Sequence, residues 1–141
     1  NAKQNDIQSK IDLAEVYIWV DSLEKSREIF HQILNKKPIN SNYAKLVINK
    51  LAQNALFDVP DSLIGVVRKS TRKPDFYALE MGRYYASRMV YDKALSEYLL
   101  YLSKNPARLD FVSGKIVGFP DNPEITELVT KELKKSTIPE F

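Results

Sequence analysis

MGRYYASRMVYDKALSEYLLYLSKNP, Met81 to Pro106, is the stretch that decides the fold. Small residues stand at Gly82 and Ala94, bulky ones at Met81, Tyr85, Tyr91, Tyr98 and Tyr101, and a proline closes it. The same order occurs 68 residues earlier, where Leu13, Ala14, Tyr17, Ser26, Phe30 and Ile33 precede Pro38 at matching offsets. That distance is two periods of about 34 residues, and such a period marks a repeated helix-turn-helix unit. The expected fold is therefore all-α, an α-α solenoid of antiparallel helix pairs. A solenoid presents surface to a partner, and no reaction chemistry follows from its fold.

With each proline at the thirty-second place of its unit, units begin at Ile7 and Asp75, and the register divides the chain into 7–40, 41–74, 75–108 and 109–141. The positions quoted above resemble the tetratricopeptide repeat (TPR), whose pattern asks for small residues where two helices touch and large ones between them. The match is specific in Met81–Pro106, with Tyr91 at the seventeenth place. The 41–74 unit is degenerate: Ile48 and Pro60 replace the small residues and Arg72 the proline, while Leu51, Phe57, Ile64 and Val67 keep the large positions. In 109–141, Phe111, Val112 and Ile116 suggest a short first helix before Gly118-Phe119-Pro120-Asp121 breaks the pattern. The resemblance implies one domain, a right-handed superhelical array of about eight helices. A fifth unit would begin at residue 143, and Ser136-Thr137-Ile138-Pro139 reads as a connection into it, so further repeats of the same chain are expected.

The residues support helices without the family name. Ile11, Leu13, Ala14, Tyr17 and Ile18, and likewise Leu79, Met81, Gly82 and Tyr85, recur at helical spacing. Small residues facing one another let helix backbones approach, and aromatics fill the space beside them. Asp75, Asp21 or Ser22, and Asn122 followed by Pro123 read as helix starts. The only β-like run, Lys115 to Phe119, is short and contains Gly118.

Composition narrows the chemistry. With 44% hydrophobic residues in 141 the chain can bury a continuous core. The absence of Cys removes disulfides, thiolate catalysis and zinc clusters. No apolar run approaches the roughly 18 residues of a membrane span. The first residue is Asn1, from which upstream removal is expected, by export to a compartment such as the periplasm or by excision of a domain. His31 is the only histidine and has no partner set for nucleophilic catalysis. Gly114 and Gly118 lack the Lys-Ser/Thr pair of a phosphate loop. Asp12/Glu15 and Glu124/Glu127 sit near helix starts, where the helix dipole accounts for them. No enzyme, cofactor or metal site is expected. The net charge is +3, but Arg68, Lys69, Arg72 and Lys73 fall at a helix end and most tyrosines at packing positions, so nucleic acid is not the expected partner.

The resemblance implies that the first helix of each unit lines a concave groove. Carried over by register, the lining is Gln8, Ile11, Asp12, Glu15, Ile18 and Trp19, then Asn42, Lys45, Leu46, Asn49, Ala52 and Gln53, then Phe76, Leu79, Glu80, Arg83, Ala86 and Ser87. Of these Asp12, Glu15, Trp19, Asn42, Lys45, Asn49, Phe76, Glu80 and Arg83 are the candidates for partner contact. Asn49 suits both functions of a peptide backbone, Arg83 and Lys45 suit a carboxylate, and Trp19 offers an anchor unless it packs at its own interhelical turn. The basic and amide residues with which chaperone-binding members clamp a C-terminal carboxylate are replaced by Ile11, Glu15, Leu46, Phe76 and Glu80. The expected function is a non-catalytic scaffold binding a protein or peptide; the alternative is a helical accessory or sensory region of a larger protein whose activity lies downstream.

Overall fold

The computed structural model describes the backbone of residues 2–54 and 58–135, with side chains for 6–54 and 61–135. Phe57, the Pro60 side chain and Ser136–Pro139 lie outside these residues. The described chain is all-helical: α1 (Ala2–Trp19), α2 (Leu23–Ile33), α3 (Ser41–Gln53), α4 (Asp58–Thr71), α5 (Ala78–Ser87), α6 (Tyr91–Lys104), α7 (Leu109–Val117) and α8 (Pro123–Lys135), with a 3₁₀ turn at Pro106–Arg108 before α7. The β-like candidate is the end of α7 and the turn after it. The helices gather into two compact units, Asn1–Phe76 with α1–α4 and Tyr77–Phe141 with α5–α8.

In the first unit α1 packs on α2, α3 on α4, and α1 on α3. The buried stripe of α1 runs through Ile11 and Ala14, flanked by the partly covered Ile7 and Ile18, at the i, i+4, i+7, i+11 spacing of one helix face. Leu13, expected on that stripe, is 48% exposed, because at 100° per residue it points about a quarter-turn away from Ala14. Opposite α1, Ser26, Phe30 and Ile33 of α2 are buried. Ser26 takes the small-residue place, and its hydroxyl has no hydrogen-bond partner among the described residues. Ile48 is fully buried beside Ala44, Val47 and Leu51 on α3, with Ile64 and Val67 facing them from α4. The degenerate unit therefore keeps an interior at this place with more bulk.

The second unit is organised by α5 against α6, with α7 and α8 packed on α6. At their crossing Gly82 is so close to α6 that an added Cβ would stand 2.6 Å from two ring carbons of Tyr98. Ala94, Leu95, Tyr98 and Leu102 line α6's buried face, while Met81 and Tyr85 approach from α5 and Val112 and Ile116 from α7. Phe119 turns inward from the break in the pattern. Its ring lies 4.9 Å from that of Tyr91 and 6.2 Å from that of Tyr98.

Helix ends are where the chain departs most from its sequence signals. Three helices close on a left-handed residue that is not glycine: Asp21 (φ 59°), Arg72 (φ 56°) and Met89 (φ 60°). The following amide reaches back to the last turn in each, Ser22 N to Tyr17 O at 2.8 Å, Lys73 N to Arg68 O at 3.1 Å and Val90 N to Tyr85 O at 3.0 Å, which is the six-to-one bond of a Schellman ending. Asp75 does not cap α5: residues 74–77 continue as a turn, Phe76 N bonds Lys73 O at 3.1 Å, and α5 begins at Ala78 after Tyr77 at φ 61°. Ser22 precedes α2 but makes no side-chain cap bond. Asn122 does cap α8, its Oδ1 accepting from Ile125 N at 2.9 Å, and Pro123 opens that helix. Asn40 caps α3, accepting from the amides of Asn42 and Tyr43 at 2.9 and 3.1 Å.

Candidate protein-binding faces

On α1, Gln8, Asp12, Glu15 and Trp19 follow one another at i, i+4, i+7 and i+11, one residue around from the buried stripe. Gln8 and Asp12 are exposed and share a hydrogen bond of 2.9 Å. On α3, Asn42, Lys45, Asn49 and Gln53 are exposed beside the buried Ala44–Leu51 stripe. Because α1 packs on α3, these two polar rows belong to neighbouring helices of one unit.

The seam between them is fixed by polar contacts. Glu15 is only 17% exposed, with one carboxylate oxygen 3.0 Å from Lys50 Nζ and the other accepting from Asn54 Nδ2 at 3.1 Å. Asn54 accepts in turn from Trp19 Nε1 at 3.1 Å, and its amide donates to Lys50 O at 2.8 Å. Pairing at low exposure with both oxygens engaged makes this a charge-assisted link between helices. Glu15 thus spends its acceptors inside the protein. Trp19 neither packs into the turn nor dangles: 67% of it is exposed while its indole N–H is held, so its ring is presented in a set orientation. Nothing in the register points to Lys50 and Asn54, although their i, i+4 spacing places them on one face.

Other candidates divide by burial. Phe76 is 6% exposed, and its carbonyl accepts from Arg68 Nε at 3.0 Å; Lys45 stands 5.9 Å above its ring. Ile11 is 1% exposed. Register places both on an open lining, yet both are core, because the turn at 74–77 carries Phe76 inward and the α1 stripe is centred on Ile11.

Glu80 and Arg83 are exposed on α5 in the second unit. Arg83 is one of three cations gathered on the Phe111 ring, at 5.9 Å from its centroid, with Arg108 at 4.5 Å and Lys115 at 5.4 Å. Arg108 and Lys115 share the α7 face of Phe111 by their spacing of three and four residues. The ring's negative face attracts each of them, so the cluster concentrates positive charge around one aromatic side chain. It also reaches Tyr98, whose phenol burial pushes above the ordinary value of 10.0 while the Arg83 charge offsets part of the rise.

Among the described residues no group of three or more His, Asp or Glu side chains is arranged to hold a metal ion, and no helix is long and apolar enough to cross a membrane. No family model, curated protein or solved structure matches this chain.

Proposed function

We propose that this chain is a tetratricopeptide-like scaffold that binds a protein or peptide segment and catalyses no reaction. The observation that carries the reading is the recurrence of backbone detail at the 68-residue spacing. Ala14 and Gly82 are buried at the contact of a helix pair, as are Ser26 and Ala94. Asp21 and Met89 both take the left-handed conformation between the paired helices, and Ser22 and Val90 close equivalent hydrogen bonds. Equivalent pairs built this way are units of repetition, and the surfaces of such units are used for recognition.

Within the first unit the recognising surface is the double row of Asp12 and Trp19 on α1 with Asn42, Lys45 and Asn49 on α3. Its mixture of charge, amide and one oriented indole suits an extended peptide, for which amides read the backbone and an aromatic supplies the anchor. In the second unit Arg83, with Arg108 and Lys115, would meet acidic side chains of the partner.

Affinity capture from the source cell's extract tests this, comparing the parent with an Asp12→Lys, Lys45→Glu, Asn49→Ala variant. Glu15 is left in place because it ties α1 to α3. A protein retained by the parent and lost by the variant, at equal helicity by circular dichroism, supports the reading. Identical capture by both would show that this face is not the one used.

A further inference from the structure

The second helices of the first unit, α2 and α4, leave between them a cleft of about 560 Å³, a volume within the range of small-molecule sites, roughly 300–1,000 Å³. Its α2 wall is a single helical stripe, Arg27, Phe30, His31 and Leu34, at i, i+3, i+4 and i+7. Leu63 and Val66 form the α4 wall, and Leu51 and Ile39 also line it. The apolar residues are graded by depth: Phe30, Leu34, Ile39 and Leu51 are buried, whereas Val66 is 50% exposed at the edge.

Among the described lining residues the charged ones, Arg27 and Lys37, are both cationic. Both are exposed, as is His31, while Phe30, Leu34, Ile39 and Leu51 lie inside, and no carboxylate is among the described lining residues. Arg27 meets Glu24 only at 3.6 Å, with both side chains largely in solvent. A deep apolar trough under a cationic mouth matches a molecule with a hydrocarbon tail and one anionic head. A neutral apolar ligand would leave the mouth unanswered, and a cationic amphiphile would be repelled by it.

We propose that the α2/α4 cleft binds a small anionic amphiphile, its alkyl tail lying between Phe30, Leu34, Leu63 and Val66 and its head group at the rim that carries Arg27 and Lys37. The site uses none of the α1/α3 surface residues and stands or falls apart from the scaffold reading.

The test is displacement of the fluorescent probe 1-anilinonaphthalene-8-sulfonate by four amphiphiles: octanoate, decanoate, decanol and decyltrimethylammonium. Decanoate should bind more tightly than octanoate by up to about fifteenfold, since each of its two extra methylenes, when buried, contributes as much as a factor of about four. It should also outcompete decanol and the cationic amphiphile. Arg27→Glu with Lys37→Glu should weaken decanoate on the order of fivefold and leave decanol within about twofold, as expected for two exposed charge contacts. Val66→Glu should abolish decanoate binding, whereas Val117→Glu, at an 82% exposed valine of the second unit, should not. Equal affinity for the three head groups, or equal loss in both valine variants, overturns the proposal. So does displacement of the probe by an acidic amphipathic peptide but not by decanoate.

Discussion

Replacing Gly82 with alanine sets two opposing effects against each other, and the structure decides between them. Alanine is the better helix former by about 1 kcal/mol, so on propensity alone the variant is more stable. The new Cβ, however, would lie 2.6 Å from Cδ1 and Cε1 of Tyr98 and 3.2 Å from Cζ. Carbon atoms settle at about 3.5–4.0 Å, so the ring or the helix must retreat by roughly 1 Å. Tyr98 is 2% exposed and has the Phe119 ring tilted beside it at 6.2 Å, with Tyr91 beyond at 4.9 Å from Phe119. A rigid ring inside such a group cannot swing aside, and overpacking of this kind costs about 1–3 kcal/mol. The net expectation is destabilisation by up to about 2 kcal/mol, a fall of as much as several degrees in Tm for a domain of this size, and a larger loss for Gly82→Leu. Urea titration followed by circular dichroism at 222 nm measures it in the parent and in a Tyr98→Leu background. In the latter Gly82→Ala should become neutral or stabilising, a coupling of about 1–3 kcal/mol. An equal effect of Gly82→Ala in the two backgrounds would refute the close approach of α5 and α6.

Met89, 75% exposed in the left-handed conformation, should gain about 1 kcal/mol on replacement by glycine, since glycine lacks the Cβ penalty there; thermal melting checks it. Asn40→Ala, which removes the acceptor for two α3 amides, should cost about 0.5–2 kcal/mol in the same assay. Tyr98 gives a pH dependence. Its phenol is raised above 10.0 by burial, so the folded state holds the proton more tightly, and the contribution to stability is complete below pH 10 and declines as pH rises through the folded value. Chemical denaturation between pH 8 and 11 should show Tyr98→Phe losing less stability than the parent across the alkaline limb. Parallel curves would mean that the phenol titrates as it does when unfolded.

The parts of this fold that depend on residue size could be read directly. Ala14, Ser26, Gly82 and Ala94 are small because helices touch there, and that requirement repeats with the period. What depended on backbone conformation could not. Asp21, Arg72 and Met89 occupy left-handed positions where glycine would have been the signal, and Asp75 looks like a cap only until the turn at 74–77 delays α5 to Ala78. Register alone placed Phe76 and Ile11 on an open lining, because it assigns a direction to each side chain without knowing which face the neighbouring helix covers. The candidate surface was partly legible for the same reason. Asp12, Asn42, Lys45, Asn49 and Arg83 are exposed as polar residues at those places ought to be. Residues distant in the chain determined the rest: Lys50 and Asn54 consume Glu15's carboxylate, and Arg108 and Lys115 join Arg83 only because α7 brings Phe111 beside α5. The cleft between α2 and α4 is a volume, and no local pattern encodes one.

Trp19 is the chain's single tryptophan, largely open to water yet held by Asn54 at 3.1 Å. All indole emission therefore originates at one end of the α1/α3 surface, from a ring whose hydrogen bond depends on the same amide that secures Glu15. The unlabelled protein carries its own optical gauge. Coverage of that surface should shift the emission to shorter wavelength and shield it from iodide, whereas loosening of the Glu15–Asn54 link should leave it red and more easily quenched.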